Sequence, residues 1–157
     1  MDFDTAFDRL IGNEGGYVKD SRDPGGETKF GISKRSYPSL DIANLTLGQA
    51  KAIYRHDFWD VLGEAHPAIK FQVFDFAVNS GIGTAIRKLQ AAIGVADDGH
   101  WGPMSEAALE RANVNDVLML FAAERLDYLR KLSTWPTYGA GWAGRIANDL
   151  RFAAEDN

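Results

Sequence analysis

Apolar residues recur at helical spacing along most of the chain, with one interruption near the N-terminus. A first helix is predicted to run to about Ile11, and Asp2 or Asp4 can cap it. From Gly12 to Gly31 turn residues follow one another closely, which predicts a loop. Within that loop we expect two short strands, around Gly15–Lys19 and Thr28–Ile32.

The periodicity beyond this loop is helical almost to the end of the chain. Thr46 and Gln49 form a capping-box pattern, and Pro67 is well placed in the first turn of another apolar helix. Further helices are expected at about 84–93, 104–112, 116–132 and 142–154, with breaks at glycines and at the stretch WPTYGAG. The pattern predicts a mainly α fold with a small irregular β-hairpin region near the N-terminus, in which two lobes can enclose a cleft.

Composition and net charge indicate the size of the core and the kinds of partner that the protein can bind. A chain of 157 residues with 45% hydrophobic content can bury one substantial core, and a soft lobe boundary is expected near Gly81–Gly83. The net charge of −5 gives no overall positive field, so we expect no nucleic-acid partner. No apolar run approaches a membrane span or a signal peptide, so we expect no membrane insertion and synthesis in the cytoplasm.

No metal or cofactor is predicted. The chain has no cysteine, and its three histidines show no ligand spacing.

Two carboxylates and a hydroxyl in the N-terminal loop fit glycoside hydrolysis. This reaction needs a proton donor and commonly a second carboxylate that acts on water or on the sugar. Glu14 follows an apolar helix end and precedes two glycines, so partial burial can keep it protonated. Asp23 and Thr28 can lie across a groove from it and hold a water molecule. The same residues also fit a solvated helix-end acid followed by an ordinary turn, so their spacing alone leaves both interpretations open.

The whole stretch NEGGYVKDSRDPGGETKFGIS resembles the signature of glycoside hydrolase family 108, the muramidases of phage endolysins and prophage-type proteins. The resemblance implies a lysozyme-like fold with Glu14 as the catalytic acid. The order Glu14, Asp23, Thr28 is also similar to the catalytic triad of phage-type lysozymes, although the interval from Asp23 to Thr28 is one residue shorter here.

Three further segments resemble the same family. FDFAVNSG (74–81) is similar to a helix that lines the cleft, which makes Asp75 and Asn79 candidate substrate contacts; the alternative is that both are buried polar groups satisfied by backbone. LQAAIGVADDGHWGPMSEAAL (89–109) resembles a peptidoglycan-binding segment, and its alternative is a core hairpin. GWAGR (141–145) resembles the closing tryptophan and arginine. The resemblance implies a catalytic part, 1–83, packed as one unit with a helical part, 84–157.

The function expected from this resemblance is hydrolysis of the β-1,4 bond between N-acetylmuramic acid and N-acetylglucosamine in peptidoglycan strands. Tyr17 and Tyr37, which lie close to the loop, are candidates for stacking on sugar. Without a signal peptide, we expect access to the periplasmic wall to depend on a holin. Two alternatives stay open: a lytic transglycosylase, and a non-catalytic wall-binding or secretion-assisting module.

Overall fold

A computed structural model describes residues 1–11, 16–22 and 25–157 of the chain. These ranges form seven α-helices and one small antiparallel sheet, which confirms the predicted lysozyme-like, mainly α fold class. The helices are α1 (Phe3–Leu10), α2 (Leu47–Tyr54), α3 (Pro67–Ser80), α4 (Ile82–Ala92), α5 (Pro103–Arg111), α6 (Val114–Arg130) and α7 (Trp135–Asp156). None of the helices in the described ranges has the length and hydropathy to cross a membrane.

The described residues divide into two compact units. The first unit is Asp2–Asp60, and the second is Val61–Asn157 together with Met1.

Helix α1 contributes the aromatic core of the first unit. The side chain of Asp2 accepts a hydrogen bond from the Thr5 amide at 2.9 Å and so caps the helix, as its sequence predicts. Phe3 and Phe7 are buried on one face of α1, and the ring of Phe3 lies edge-on to Trp59. Trp59 is 6% exposed and belongs to this core.

The sheet has three short antiparallel strands in the order in which they occur in the chain. The strands are β1 (Val18–Lys19), β2 (Glu27–Lys29) and β3 (Ile32–Ser33). The prediction of one strand over Thr28–Ile32 was wrong, because the chain turns at Phe30 and Gly31. Both of these residues have positive φ, 51° and 77°, as a two-residue type I′ hairpin requires. The hydroxyl group of Tyr54 donates a hydrogen bond to the Phe30 carbonyl at 2.8 Å and holds this turn.

Helix α2 begins at the predicted capping box and ends in a π-helical turn. The Thr46 hydroxyl accepts from the Gln49 amide, and the Gln49 side chain accepts from the Thr46 amide. After Tyr54 the helix widens into a π-helical turn at Arg55–Trp59. Such turns are uncommon and recur at functional positions.

Helix α3 is the centre of the second unit and packs against α4, α6 and α7. Pro67 occupies its first turn, as predicted, and most of the side chains along the helix are buried. Gly81 ends α3 and also caps α4, with φ 85° and ψ 152°, a backbone conformation that is essentially restricted to glycine. Helices α4, α5 and α6 begin and end within two residues of their predicted bounds.

Helix α7 begins earlier than the sequence indicated. The stretch WPTYGAG was predicted to be a break, yet the helix starts at Trp135 and includes it. Proline is compatible with a first helical turn, since the amide that it lacks has no partner there. Gly139 has a packing role: an added Cβ would lie 2.5 Å from ring atoms of Trp135, so only glycine lets this ring lie against the helix.

A buried cluster of charges joins α3, α6 and α7. Arg125 of α6 donates to Asp149 of α7 at 2.6 Å and to Asp75 of α3 at 2.7 Å. Arg145 of α7 also binds Asp75, through two nitrogens, at distances between 2.7 and 3.0 Å. The guanidinium group of Arg125 also lies over the ring of Phe76, with 5.0 Å between its carbon and the ring centroid. Charges this deeply buried are tolerated because each of them is paired.

The two carboxyl groups of this cluster differ in pKa. Burial, followed by the hydrogen bond and the charge of the neighbouring Asp75, raises the pKa of Asp149 to about 8 against the opposing effect of Arg125. Burial also opposes ionisation of Asp75, but hydrogen bonds from Asp149 and Arg145 and the charge of Arg125 hold its pKa below the usual range. The two environments therefore favour a proton on Asp149 and the negative charge on Asp75.

The glycines of α7 give a first testable prediction. Gly139→Ala should lower the free energy of unfolding by about 1–3 kcal/mol, because the new methyl group displaces the Trp135 ring. Gly141→Ala and Gly144→Ala are matched controls with open space around the added atom, and each should stabilise the helix by up to about 1 kcal/mol. Urea unfolding of the three variants measures the difference, and equal effects at all three positions would contradict this packing.

The charge cluster gives a prediction about pH. The folded-state pKa of Asp149 lies above its unfolded value of 3.8, so its contribution to stability is complete below that pH and is lost as pH rises through about 8. Asp149→Asn, which mimics the protonated side chain, should remove this decline in melting temperature between about pH 4 and pH 8.

Asp75→Asn is the matched comparison. It leaves Arg125 and Arg145 without their shared carboxylate and should cost about 3–5 kcal/mol at neutral pH. If the two asparagine variants were equally stable at pH 7, the assignment of the proton to Asp149 would be wrong.

Candidate functional site

One of the three predicted catalytic residues, Thr28, lies in the sheet of the first unit. Glu14 and Asp23 lie outside the described residues. Thr28 is half-buried in β2, the central strand, where it is paired with Val18 of β1 and with Ser33 of β3. Neighbouring strands therefore fix the backbone of Thr28 on both sides.

A concave pocket lies on the face of the sheet opposite to Thr28. Side chains alternate between the two faces of a strand, so Glu27 and its cross-strand partner Lys19 share the face that Thr28 does not occupy. The pocket has a volume of about 670 Å³ and is lined by Lys19, Asp20, Ser21, Gly25, Gly26, Glu27, Lys34, Arg35 and Pro38. The two faces of this small sheet thus have different chemistry.

Tyr17 lies at the start of β1 and is 41% exposed. Partial desolvation raises the pKa of its hydroxyl group, and the carboxylate of Glu27, to which it hydrogen-bonds, raises it further. The ring is therefore accessible, and its hydroxyl group stays protonated at neutral pH.

Tyr37 belongs to a chain of hydrogen bonds that ends in the π-helical turn. Its hydroxyl group donates to Asp57 at 2.6 Å, and the other carboxylate oxygen of Asp57 lies 2.7 Å from Nδ1 of His56. Burial opposes ionisation of Asp57, but the hydrogen bonds from His56 and Tyr37 outweigh it and lower the pKa of the carboxyl group. Tyr37 is thus a half-buried residue whose hydroxyl proton is already engaged.

The two candidates on α3 have different environments. Asp75 is 2% exposed and both of its oxygens bind arginines, an arrangement that fits the buried polar alternative, although the partners are side chains and not backbone. Asn79 lies one turn further along α3 and is exposed. Its side-chain oxygen accepts a hydrogen bond from Arg145 at 3.3 Å, so Arg145 connects the buried cluster to a surface amide.

A second cavity, of about 430 Å³, lies within the second unit. Trp101, Ile69 and Leu109 contribute apolar surface to it, and Glu106 and Glu110 contribute carboxylates. The indole nitrogen of Trp101 is buried and has no hydrogen-bond partner among the described residues.

Two members of the charge cluster were missed in the sequence although a signal was available. Arg125 occurs between Phe121 and Leu129 at intervals of four residues, which places it on the buried face of α6. Asp149 lies in the same way on the buried face of α7, between Ile146 and Ala153. A charged residue at a core position indicates a partner of opposite sign. By contrast, no local pattern indicates the contact between Tyr37 and Asp57, which are 20 residues apart.

Comparison with known proteins relates part of the chain to a family of glycosyl hydrolases. The profile of the glycosyl hydrolase 108 family matches residues 7–81. The solved structure of SagA from Brucella abortus is similar to this chain, with a TM-score of 0.86 and 29% sequence identity over 98% of this chain and 94% of that one. No curated protein matches the chain significantly.

The profile match includes the loop, the sheet and helix α3, and the similarity to SagA extends over nearly the whole chain. These similarities support the assignment of the chain to the glycosyl hydrolase 108 family.

Proposed function

We propose that this glycosyl hydrolase is an N-acetylmuramidase, which cleaves the β-1,4 bond between N-acetylmuramic acid and N-acetylglucosamine in bacterial peptidoglycan. The observation that carries the proposal is the family match over residues 7–81, because this range includes Glu14, Asp23 and Thr28. These three residues have the types and the order that the reaction needs.

Each residue has a distinct role in the proposed reaction. Glu14 donates a proton to the bridging oxygen as the bond to the leaving sugar breaks. Asp23 and Thr28 hold a water molecule on the other side of the sugar ring, and Asp23 accepts a proton as this water attacks. An inverting reaction of this kind uses carboxyl groups that are roughly 6.5–9.5 Å apart.

The sheet supports the proposed position of Thr28. The backbone of Thr28 is paired with a strand on each side, so the position from which its hydroxyl group projects is fixed. The connection that contains position 23 leaves the sheet after Lys19 and returns at Glu27, and these two residues are paired across the strands. Both ends of the connection are therefore fixed next to the strand that carries Thr28.

Substrate contacts are proposed for Tyr17, Tyr37 and Asn79. The accessible ring of Tyr17 can stack on a sugar, and Tyr37 can offer its ring while its hydroxyl group stays bound to Asp57. Arg145 occupies the side-chain oxygen of Asn79, which leaves the amide NH₂ group to donate to the carbonyl oxygen of an N-acetyl group. We propose that Asp75 acts on substrate only indirectly, because it holds Arg145 in place.

The biological setting is also part of the proposal. Peptidoglycan strands are the proposed partner, and a holin would give the enzyme access to the periplasmic wall. The division into a catalytic part, 1–83, and a helical part, 84–157, that contributes to wall binding is proposed as well.

Replacement of Glu14 tests the central claim. Glu14→Gln removes the proton donor with little change in shape, and it should slow the release of reducing ends from purified peptidoglycan by about 10²–10⁴-fold. Glu110→Gln makes the same chemical change on the exposed surface of α5 and should keep the wild-type rate. Wild-type turnover in purified Glu14→Gln protein would disprove the assignment.

The products distinguish this reaction from its alternatives. Hydrolysis leaves N-acetylmuramic acid with a reducing end, whereas a lytic transglycosylase leaves an anhydro sugar, and mass spectrometry of the released fragments separates the two. A non-catalytic wall-binding module would sediment with peptidoglycan and release no reducing ends.

Asn79→Ala tests the proposed contact with the N-acetyl group. Loss of one hydrogen bond to bound substrate should raise KM by about two- to tenfold, with kcat nearly unchanged. Asn148→Ala is a matched control, because Asn148 is also exposed and also accepts a hydrogen bond from an arginine, Arg151. An unchanged KM in Asn79→Ala, or an equal rise in both variants, would remove Asn79 from the site.

A further inference from the structure

Three aromatic rings form an accessible group at the start of α7. Trp142 lies between the other two, with its ring centroid 6.1 Å from that of Trp135 and 5.8 Å from that of Tyr138. Tyr138 is 57% exposed, and both tryptophans are half-buried. We call Trp135, Tyr138 and Trp142 the aromatic platform.

The backbone around the platform keeps the rings in place and uncovered. Gly139 lets the ring of Trp135 lie directly against the helix, where no larger residue fits. The residues that flank Trp142 along the helix are small and exposed: Ala140, Gly141, Ala143 and Gly144. No long side chain from this part of α7 covers the rings, so a broad, flat ligand can reach them.

The polar surroundings of the platform indicate the kind of ligand. No charged residue occurs between Lys131 and Arg145, whereas exposed helix surfaces are usually rich in lysine and glutamate. One turn beyond Trp142, Arg145 is fixed by Asp75 and binds the exposed amide of Asn79. An aromatic stretch without charged residues, followed one turn later by a fixed guanidinium group, matches a sugar ring, which has an apolar face of C–H groups and polar groups at its edge.

Other occupants fit this surface less well. Helices that lie on membranes carry lysine and arginine on their polar face, and this stretch has none. Arg145, the nearest cation in sequence, is already paired with Asp75 and is thereby a poor partner for a phosphate group.

We propose that the aromatic platform is a binding site for a polysaccharide strand, on which pyranose rings stack, in addition to the catalytic residues near the N-terminus. The inference rests on the proposed function in one respect, because that function identifies the glycan as peptidoglycan. The platform lies outside the segment 89–109, so it would give helix α7 a separate binding function.

Sedimentation with purified peptidoglycan tests the platform. The whole chain is used in its Glu14→Gln form, so that the substrate is not consumed, and the unbound protein is measured over a range of peptidoglycan concentrations. Tyr138→Ala and Trp142→Ala should each weaken binding by about two- to tenfold. Tyr138→Phe should bind like the parent protein, because it keeps the ring and loses only the hydroxyl group.

Leu120→Ala is the matched control, because Leu120 is an apolar residue of α6 that is 50% exposed. It should leave binding unchanged. Tyr138 is exposed, so its alanine variant should keep the parent melting temperature even if Trp142→Ala is less stable. Unchanged binding in folded Tyr138→Ala would overturn the proposal. A concentration-dependent dimer that dissociates in Tyr138→Ala would also overturn it, because the rings would then form a contact between two copies of the chain.

The outcomes separate this inference from the proposed enzyme. If wild-type protein releases reducing ends but Tyr138→Ala binds peptidoglycan as tightly as its parent, the platform is wrong and the hydrolase assignment stands. If wild-type protein releases no reducing ends but binding depends on Tyr138, the platform stands and the muramidase assignment is wrong.

Discussion

The second unit depends on one buried arginine. Arg125 donates to carboxyl groups on two other helices, and a guanidinium group removed from water needs such partners to be tolerated. Burial favours the proton on Asp149, and the carboxylate of Asp75 contacts both Arg125 and Arg145. Arg145 in turn donates a hydrogen bond to the exposed side chain of Asn79, so the buried ion pairs also position this surface residue. Packing and the proposed substrate contact therefore depend on the same set of ion pairs.

Elements with strong local signals could be predicted from the sequence. The capping box at Thr46 and the proline in the first turn of α3 each satisfy or remove a backbone amide that has no helical partner, and their effect is independent of the rest of the fold. The start of α7 could not be located in this way. Its glycines resemble a turn, and the packing of the Trp135 ring on Gly139 has no local sequence signal.

The candidate site was predicted by resemblance, and the interactions around it were not. The family signature gave the positions of Glu14, Asp23 and Thr28, whose roles stay predictions. The hydrogen bond between Tyr37 and Asp57 joins positions that are far apart in the sequence. It depends on the direction in which the π-helical turn points the side chain of Asp57, and no sequence pattern gives that direction. Arg125 is different, since its interval from apolar neighbours indicates burial and therefore a partner.

Gly81 limits how the junction between α3 and α4 can diversify. One residue ends α3 and starts α4 in a conformation that any side chain would strain, so the two helices have no spacer that could lengthen or rotate. Asn79 lies two positions before Gly81 in α3, so its position is fixed by the same junction. A change of preferred sugar is thus more readily reached through new side chains on the existing helices than through a remodelled junction, and directed-evolution libraries for altered wall specificity should leave this glycine constant.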